Sequence, residues 1–268
     1  MTTTTASRSG AQEGNRATTA APREPARAAV SGDAAVRSAA VVGPARPRDP
    51  WANSDSLAIA GLVPLSTCDW PGKLVATLFA QGCPWSCTYC HNPDLIPTRA
   101  DGTIPFQRVR DLLAKRRGLL DGVVFSGGEP TRQRALRAAM LEVRDAGFGV
   151  GLHTGGAYPG RLADVVDLVD WVGLDIKAPR ADYAKITGVG PSGSKAFESL
   201  DIVLAAGVDV QVRTTVDPTV LTDAHVARIR VELAERGVTD LVLQTVRAEG
   251  TRPEYAAALA KARSTATP

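Results

Sequence analysis

Six short apolar runs recur at a regular interval in the second half of this chain and its approach: residues 74–80, 122–125, 149–152, 171–176, 208–212 and 241–244. Each is apolar nearly throughout and often β-branched. That composition suits strands covered on both faces rather than strands with one wet side. Helical patterns follow them, at 106–117, 132–146, 161–169, 195–206, 223–236 and 252–263. In the second of these, Ala135, Ala138, Ala139, Leu141 and Val143 alternate with Arg and Glu at amphipathic spacing. Gly147, Gly207 and Gly237 stand where a helix C-terminal cap wants a glycine. Strand–helix units roughly 35 residues apart fit repeated right-handed βαβ crossovers. Eight units close a full barrel, so six predict an α/β fold that is either a partial barrel or an open sheet. In both, working side chains belong at the C-terminal ends of the strands.

Upstream of the first unit, apolar stretches at 57–65 and 73–80 flank Asp69-Trp70-Pro71-Gly72, a strong turn signal, so a hairpin is expected. Residues 1–53 differ in kind. They are rich in Ala, Thr, Arg, Ser, Gly and Pro and almost lack large apolar residues before Trp51. Such a segment cannot offset its ordering entropy by burial, which predicts a disordered tail followed by one folded domain at 54–268. The net charge of +3 over 268 residues gives no case for nucleic acid. No run is long enough to span a membrane, and no secretory signal opens the chain. The four cysteines, at 68, 83, 87 and 90, are clustered rather than spread as in a disulfide scaffold. The expectation is a reducing, cytoplasmic setting and metal or redox chemistry.

The first strand of the series runs into Gly82-Cys83-Pro84-Trp85-Ser86-Cys87-Thr88-Tyr89-Cys90-His91-Asn92-Pro93. Thiolates at Cys-x3-Cys-x2-Cys spacing are soft ligands for iron–sulfur clusters or zinc. A [4Fe–4S] cluster fully ligated by protein takes four cysteines, so three leave one iron open to another molecule. Zinc wants a closed tetrahedron, with His91 or Cys68 as a possible fourth ligand, though the second Cys-x2-Cys arm of a zinc ribbon is missing. The second strand ends in Ser126-Gly127-Gly128-Glu129-Pro130, where glycines permit close backbone approach and a carboxylate can accept from an ammonium group. The fourth ends in Asp175-Ile176-Lys177, two charges on one strand face that suit a zwitterion, or else form a rim ion pair. Thr215 and Gln244, at the ends of the fifth and sixth, suit ribose or peptide contacts. Arg213 reads as structural, His225 as a surface histidine and Cys68 as a buried thiol.

Together the cysteine loop and Gly127-Gly128-Glu129 resemble the radical S-adenosylmethionine (SAM) superfamily. Tyr89 before the third cysteine, Cys90-His91-Asn92-Pro93, and the upstream Ser66-Thr67-Cys68-Asp69-Trp70-Pro71-Gly72 are similar to its glycyl-radical-activating enzymes. The stretches 151–159 and 171–179 look most like the anaerobic ribonucleoside-triphosphate reductase branch. The resemblance covers about residues 57–250. It implies a partial (β/α)6 TIM-like barrel and an oxidoreductase with two cofactors, a [4Fe–4S] cluster and SAM. It places Cys83, Cys87 and Cys90 on the cluster, and Tyr89, Cys90, His91, Gly127, Gly128, Glu129, Asp175, Lys177 and Thr215 at SAM. It further implies reductive cleavage of SAM to a 5′-deoxyadenosyl radical, a glycyl-radical partner enzyme, and a low-potential electron donor such as flavodoxin or ferredoxin. Many relatives carry an acid where this chain has His153, which reads here either as a neutral, hydrogen-bonded histidine or as a ligand-binding one. No cysteine occurs between His91 and Leu120, so a ferredoxin-like insertion is not expected. The competing expectations are a radical SAM enzyme acting on a small molecule or peptide, such as a deazaguanine synthase, and a zinc-stabilised scaffold.

Overall fold

A computed structural model of the protein describes residues 53–265; the disorder expected of residues 1–53 falls, but for Asn53, outside the described residues. The expected hairpin is formed by β1 (Ile59–Ser66) and β2 (Val75–Ala80), which pair antiparallel. Then come α1 (Phe106–Lys115), β3 (Gly122–Gly127), α2 (Leu136–Asp145), β4 (Gly149–Thr154), α3 (Pro159–Ala163) and β5 (Trp171–Asp175). After these follow α4 (Tyr183–Thr187), α5 (Ser192–Ala206), β6 (Asp209–Val216), α6 (Asp223–Ala234), β7 (Leu241–Thr245) and α7 (Pro253–Thr265).

The strands form one sheet in the order β1-β2-β3-β4-β5-β6-β7, parallel from β2 onward. That order decides between the two architectures the sequence leaves open. A doubly wound open sheet reverses its winding partway, whereas here every crossover moves on to the next strand, as in a barrel. The parallel strands are thus a six-strand barrel arc with β1 added at one edge.

Period-two alternation splits each strand between two environments. Val123, Phe125, Val150, Leu152, Val172, Leu174 and Val212 face the helices and are buried in the main core. Burial of each such side chain contributes about 1.5–3 kcal/mol. The opposite face lines the inside of the arc. Its lowest layer is filled by the β1–β2 loop: Trp70 stacks on Trp171, with ring centroids 5.7 Å apart, and packs with Val75 and Val124. A Cβ on Gly151 would lie 2.9 Å from the Trp70 ring and one on Gly122 3.1 Å away, so these strand glycines make room for the indole.

Three expectations are corrected. Cys68 is exposed rather than buried, because Trp70, two residues later, takes the inward position of this loop. The third helix is not one piece over 161–169. It splits into α3 and a 3-10 turn at Val166–Leu168, and still buries Leu162, Val165 and Leu168. The short helix α4 was not expected at all. Its first residue, Tyr183, is fully buried.

Candidate active site at the C-terminal ends of the strands

The cysteine loop leaves β2 through Gly82, whose φ of +92° is open to glycine at little cost. Its backbone is then tied down at intervals. Cys83 N–H donates to the Ile96 carbonyl (3.1 Å), Ser86 N–H to Thr187 (3.0 Å) and Thr88 N–H to Ile186 (3.0 Å). The Thr88 hydroxyl donates to the Asp217 carboxylate at 3.1 Å, and Arg252 donates to the Cys87 carbonyl at 3.2 Å and to the Ser86 hydroxyl at 2.8 Å. Cys83, Cys87 and Cys90 are free thiols on this anchored loop. Burial first, then the neighbouring Glu129, pushes the Cys83 thiol up to about 12, and burial likewise raises Cys87. A metal centre that supplies compensating charge converts such thiols to thiolates as it binds.

The Gly127-Gly128-Glu129 turn packs directly on that loop. A Cβ on Gly128 would sit 2.5 Å from the Gly82 carbonyl oxygen, and one on Gly127 (φ +105°) 2.4 Å from Ala80 N, so both glycines are required by the chain's packing on itself. Glu129 is fully buried. Its Oε1 accepts from Thr131 N–H (3.1 Å), the Thr131 hydroxyl (2.6 Å) and the Thr154 hydroxyl (2.7 Å), and its Oε2 from Gly155 N–H (3.0 Å). Burial raises the carboxyl's pKa, against those hydrogen bonds. The carboxylate therefore fastens the turn after β3 to the turn after β4.

Asp175 and Lys177 do share a face, and they are half-buried rather than a rim pair. Lys177 Nζ lies 3.1 Å from Asp175 Oδ2, while Arg213 Nε donates to Oδ1 at 3.0 Å. Burial alone would raise the Asp175 carboxyl, but Lys177 and then Arg213 outweigh it and hold it well below the usual carboxylate range. Lys177 also lies 5.8 Å from the centre of the Tyr89 ring. The Tyr183 hydroxyl donates to the Asp175 carbonyl (3.0 Å) and accepts from Lys177 N–H (3.0 Å), which fixes the backbone between the two charges. Tyr183, in the unexpected helix α4, carried no sequence signal for this role.

One layer lower, His153 and Arg213 meet over Gly173, where a Cβ would lie 2.9 Å from both. His153 Nε2 is 2.7 Å from the Asp69 carbonyl and 3.2 Å from Arg213 Nη1, and its Nδ1 is 3.2 Å from the Ser126 hydroxyl. A carbonyl only accepts, which assigns the proton to Nε2 and makes Nδ1 the acceptor from Ser126; Arg213 Nη1, itself a donor, then meets the ring as a neighbouring charge and not through a hydrogen bond. Burial and then Arg213 push the histidine down to about 4, so it is neutral, the first of the two expectations. Arg213, read as structural from sequence, is a full member of this network.

The structure thus gathers Cys83, Cys87, Tyr89, Asp175 and Lys177, with the Gly127–Glu129 turn against the loop. Cys90 closes the loop, its N–H donating to the Cys87 carbonyl at 3.2 Å. Tyr89 Oη is buried without a hydrogen-bond partner among the described residues. His91, next to Cys90, packs against the segment after β7, where a Cβ on Gly250 would come within 2.8 Å of its carbonyl. Thr215 donates to Gln244 at 3.3 Å, one inward position above Arg213. Three free thiols on one anchored loop are soft donors that suit a four-iron cluster, in which each thiolate takes its own iron.

The radical SAM superfamily model matches residues 77–230. A Methanocaldococcus jannaschii protein named as a glycyl-radical enzyme activating enzyme is 29% identical over 181 residues, 64% of this chain and 73% of its own. The pyruvate formate-lyase-activating enzyme of Clostridium pasteurianum is 33% identical over 162 residues, 58% of this chain and 66% of its own. A 7-carboxy-7-deazaguanine synthase of Geobacter sulfurreducens is 28% identical over 120 residues, 37% of this chain and 47% of its own. Among solved structures, TYW1 with a lysine-pyruvate adduct bound superposes with a TM-score of 0.51 at 17% identity, covering 72% of this chain and 74% of that one. Streptococcus suis SuiB bound to precursor peptide SuiA also gives 0.51, at 13% identity over 65% of this chain and 39% of its own. These structural likenesses carry the fold alone.

Proposed function

The chain belongs to the radical SAM superfamily, and we propose that it is an activating enzyme that installs a glycyl radical on a partner enzyme, with anaerobic ribonucleoside-triphosphate reductase as that partner. Its cofactors are those of the superfamily, a [4Fe–4S] cluster and SAM. When bound, they supply reductive cleavage of the SAM sulfonium and a carbon radical able to take a hydrogen atom. Residues 54–268 form the unit that does this, in a reducing cytoplasm, with a flavodoxin or ferredoxin as electron donor. Among the described residues no helix is long and apolar enough to cross a membrane.

In this reading Cys83, Cys87 and Cys90 hold three irons. The fourth iron would be left for the methionine end of SAM, and Gly127, Gly128 and the Glu129 turn would receive its amino group. The Glu129 carboxylate, which accepts from Thr131, Thr154 and Gly155, holds the turn at which this contact is made. Lys177 faces the methionine carboxylate, with Asp175 holding the ammonium in place. Tyr89, Cys90 and His91 border the adenine, and Thr215 the ribose. The protein's work is orientation and exclusion of water.

The observation that carries the reading is the placing of three free thiols on one anchored loop after β2, the Gly-Gly-Glu turn after β3 and a half-buried Lys–Asp pair after β5. Relatives named as glycyl-radical activating enzymes favour a protein substrate. The deazaguanine synthase likeness keeps a small-molecule substrate as the second reading. Electron paramagnetic resonance (EPR) of the reductase after anaerobic incubation with this protein, SAM and a reductant tests it. A glycyl doublet is expected. Its absence, with SAM still cleaved, would transfer support to the small-molecule reading.

A further inference from the structure

The cysteine loop is braced from the far end of the chain. Ser86 and Thr88 N–H groups are satisfied by the carbonyls at the end of α4, and the Thr88 hydroxyl by the buried Asp217. Two acceptors of the same stretch, one of them the Cys87 carbonyl that also accepts from Cys90 N–H, receive from a single distant residue. Arg252 Nη1 donates to the Cys87 carbonyl at 3.2 Å and Nη2 to the Ser86 hydroxyl at 2.8 Å, so its planar fork spans two consecutive residues of the loop. Arg252 directly precedes α7, which is itself pinned by buried Tyr255 and Leu259. Two residues earlier, Gly250, at φ +81°, packs on the carbonyl of His91. The segment 250–252 therefore straddles the loop from its middle to its end.

A neutral donor would satisfy a carbonyl and a hydroxyl. Arginine adds a permanent positive charge and a rigid geometry. The loop it touches carries three thiols and lies beside the carboxylate of Asp217. Three thiolates around a four-iron cluster make an anionic centre that gains a further negative charge on reduction. A guanidinium at its ligand backbone favours the reduced form more than the oxidised one.

We propose that Arg252 is a positioning residue with two effects: its fork locks the cysteine loop, and its charge raises the reduction potential of the centre the loop holds. The second effect rests on the reading that Cys83, Cys87 and Cys90 carry the cluster; the first does not.

The test uses the full chain with Arg252→Gln and Arg252→Lys. In metal-free, reduced protein, the rate of Cys87 alkylation by iodoacetamide is followed by mass spectrometry. Both variants should react at least tenfold faster than the parent, because neither reproduces the fork. In anaerobically reconstituted protein, iron content is measured and the midpoint potential is read by EPR-monitored titration. Arg252→Gln should keep the parent's iron and shift roughly tenfold toward the oxidised form, about 59 mV more negative for a one-electron couple. Arg252→Lys should stay near the parent potential. Unchanged alkylation in both variants overturns the lock, and an unchanged midpoint in Arg252→Gln overturns the electrostatic role. A parent protein that takes up no iron sinks the cluster reading instead, while the alkylation comparison still judges the brace.

Discussion

At the scale of single residues, His153 shows most plainly how environment sets chemistry. Its ring is wedged between the Asp69 carbonyl, the Ser126 hydroxyl and the Arg213 guanidinium, and is driven down to about 4 by burial and that cation. A histidine whose folded pKa lies below its unfolded value binds its proton later than the unfolded chain does. Its contribution is complete above about 6.5 and is lost as the pH falls toward about 4. Stability measured between pH 7 and 4.5 should therefore fall by about 2 kcal/mol through this residue. His153→Gln should flatten that part of the profile, and an equally steep profile in the variant would contradict the assignment. The sequence marks His153 as unusual, but not Arg213 as its neighbour, because that meeting depends on β4–β5–β6 register and on the missing side chain of Gly173. Cys83, Cys87, Cys90, Gly127, Gly128, Glu129, Asp175 and Lys177 are legible for the opposite reason. Each set lies within a few consecutive residues, so spacing alone brings its members together.

At the scale of elements, turns and glycines decide how the strand ends approach one another. Gly128 faces the backbone carbonyl of Gly82 at 2.5 Å from an added Cβ, whereas at Gly173 the nearest atoms belong to the Arg213 and His153 side chains, at 2.9 Å. A backbone atom in a pinned turn cannot move aside, but a guanidinium can. Gly128→Ala should cost several times what Gly173→Ala does, the latter about 1–3 kcal/mol; urea unfolding of the two variants compares them, and equal costs would count against this account. The β1–β2 loop acts as a plug. Trp70→Ala removes the stacked partner of Trp171 and leaves Gly122 and Gly151 facing a void, at a cost of about 3–5 kcal/mol. A cost below about 1 kcal/mol in the same measurement would mean the loop is not part of the core. The sequence predicts the hairpin from its turn, yet not that Trp70 enters the arc while Cys68 stays outside. Which of two nearby residues points inward depends on loop conformation, which no periodicity encodes. Helix α4 and its Tyr183 escaped for a related reason: one turn and a half of helix is too short for an amphipathic pattern.

For the whole molecule, a six-strand arc wound in one direction gathers its chemistry along one rim, and the last segment of the chain returns through Arg252 to brace the first functional loop. The strand–helix rhythm made the α/β class readable, and the consecutive strand order settled what rhythm alone could not, an arc rather than a doubly wound sheet. The long-range brace was beyond reach of sequence, since 165 positions separate Arg252 from Cys87. The central claim is that three thiols on one braced loop hold a four-iron cluster with one iron left for SAM. Anaerobic reconstitution followed by iron and sulfide analysis, with EPR of the reduced protein before and after SAM is added, tests it most directly. The account predicts about four iron and four sulfide per chain, a signal that SAM alters, and loss of both in Cys83→Ser. One zinc per chain without iron, or a cluster signal that SAM leaves unchanged, would contradict it.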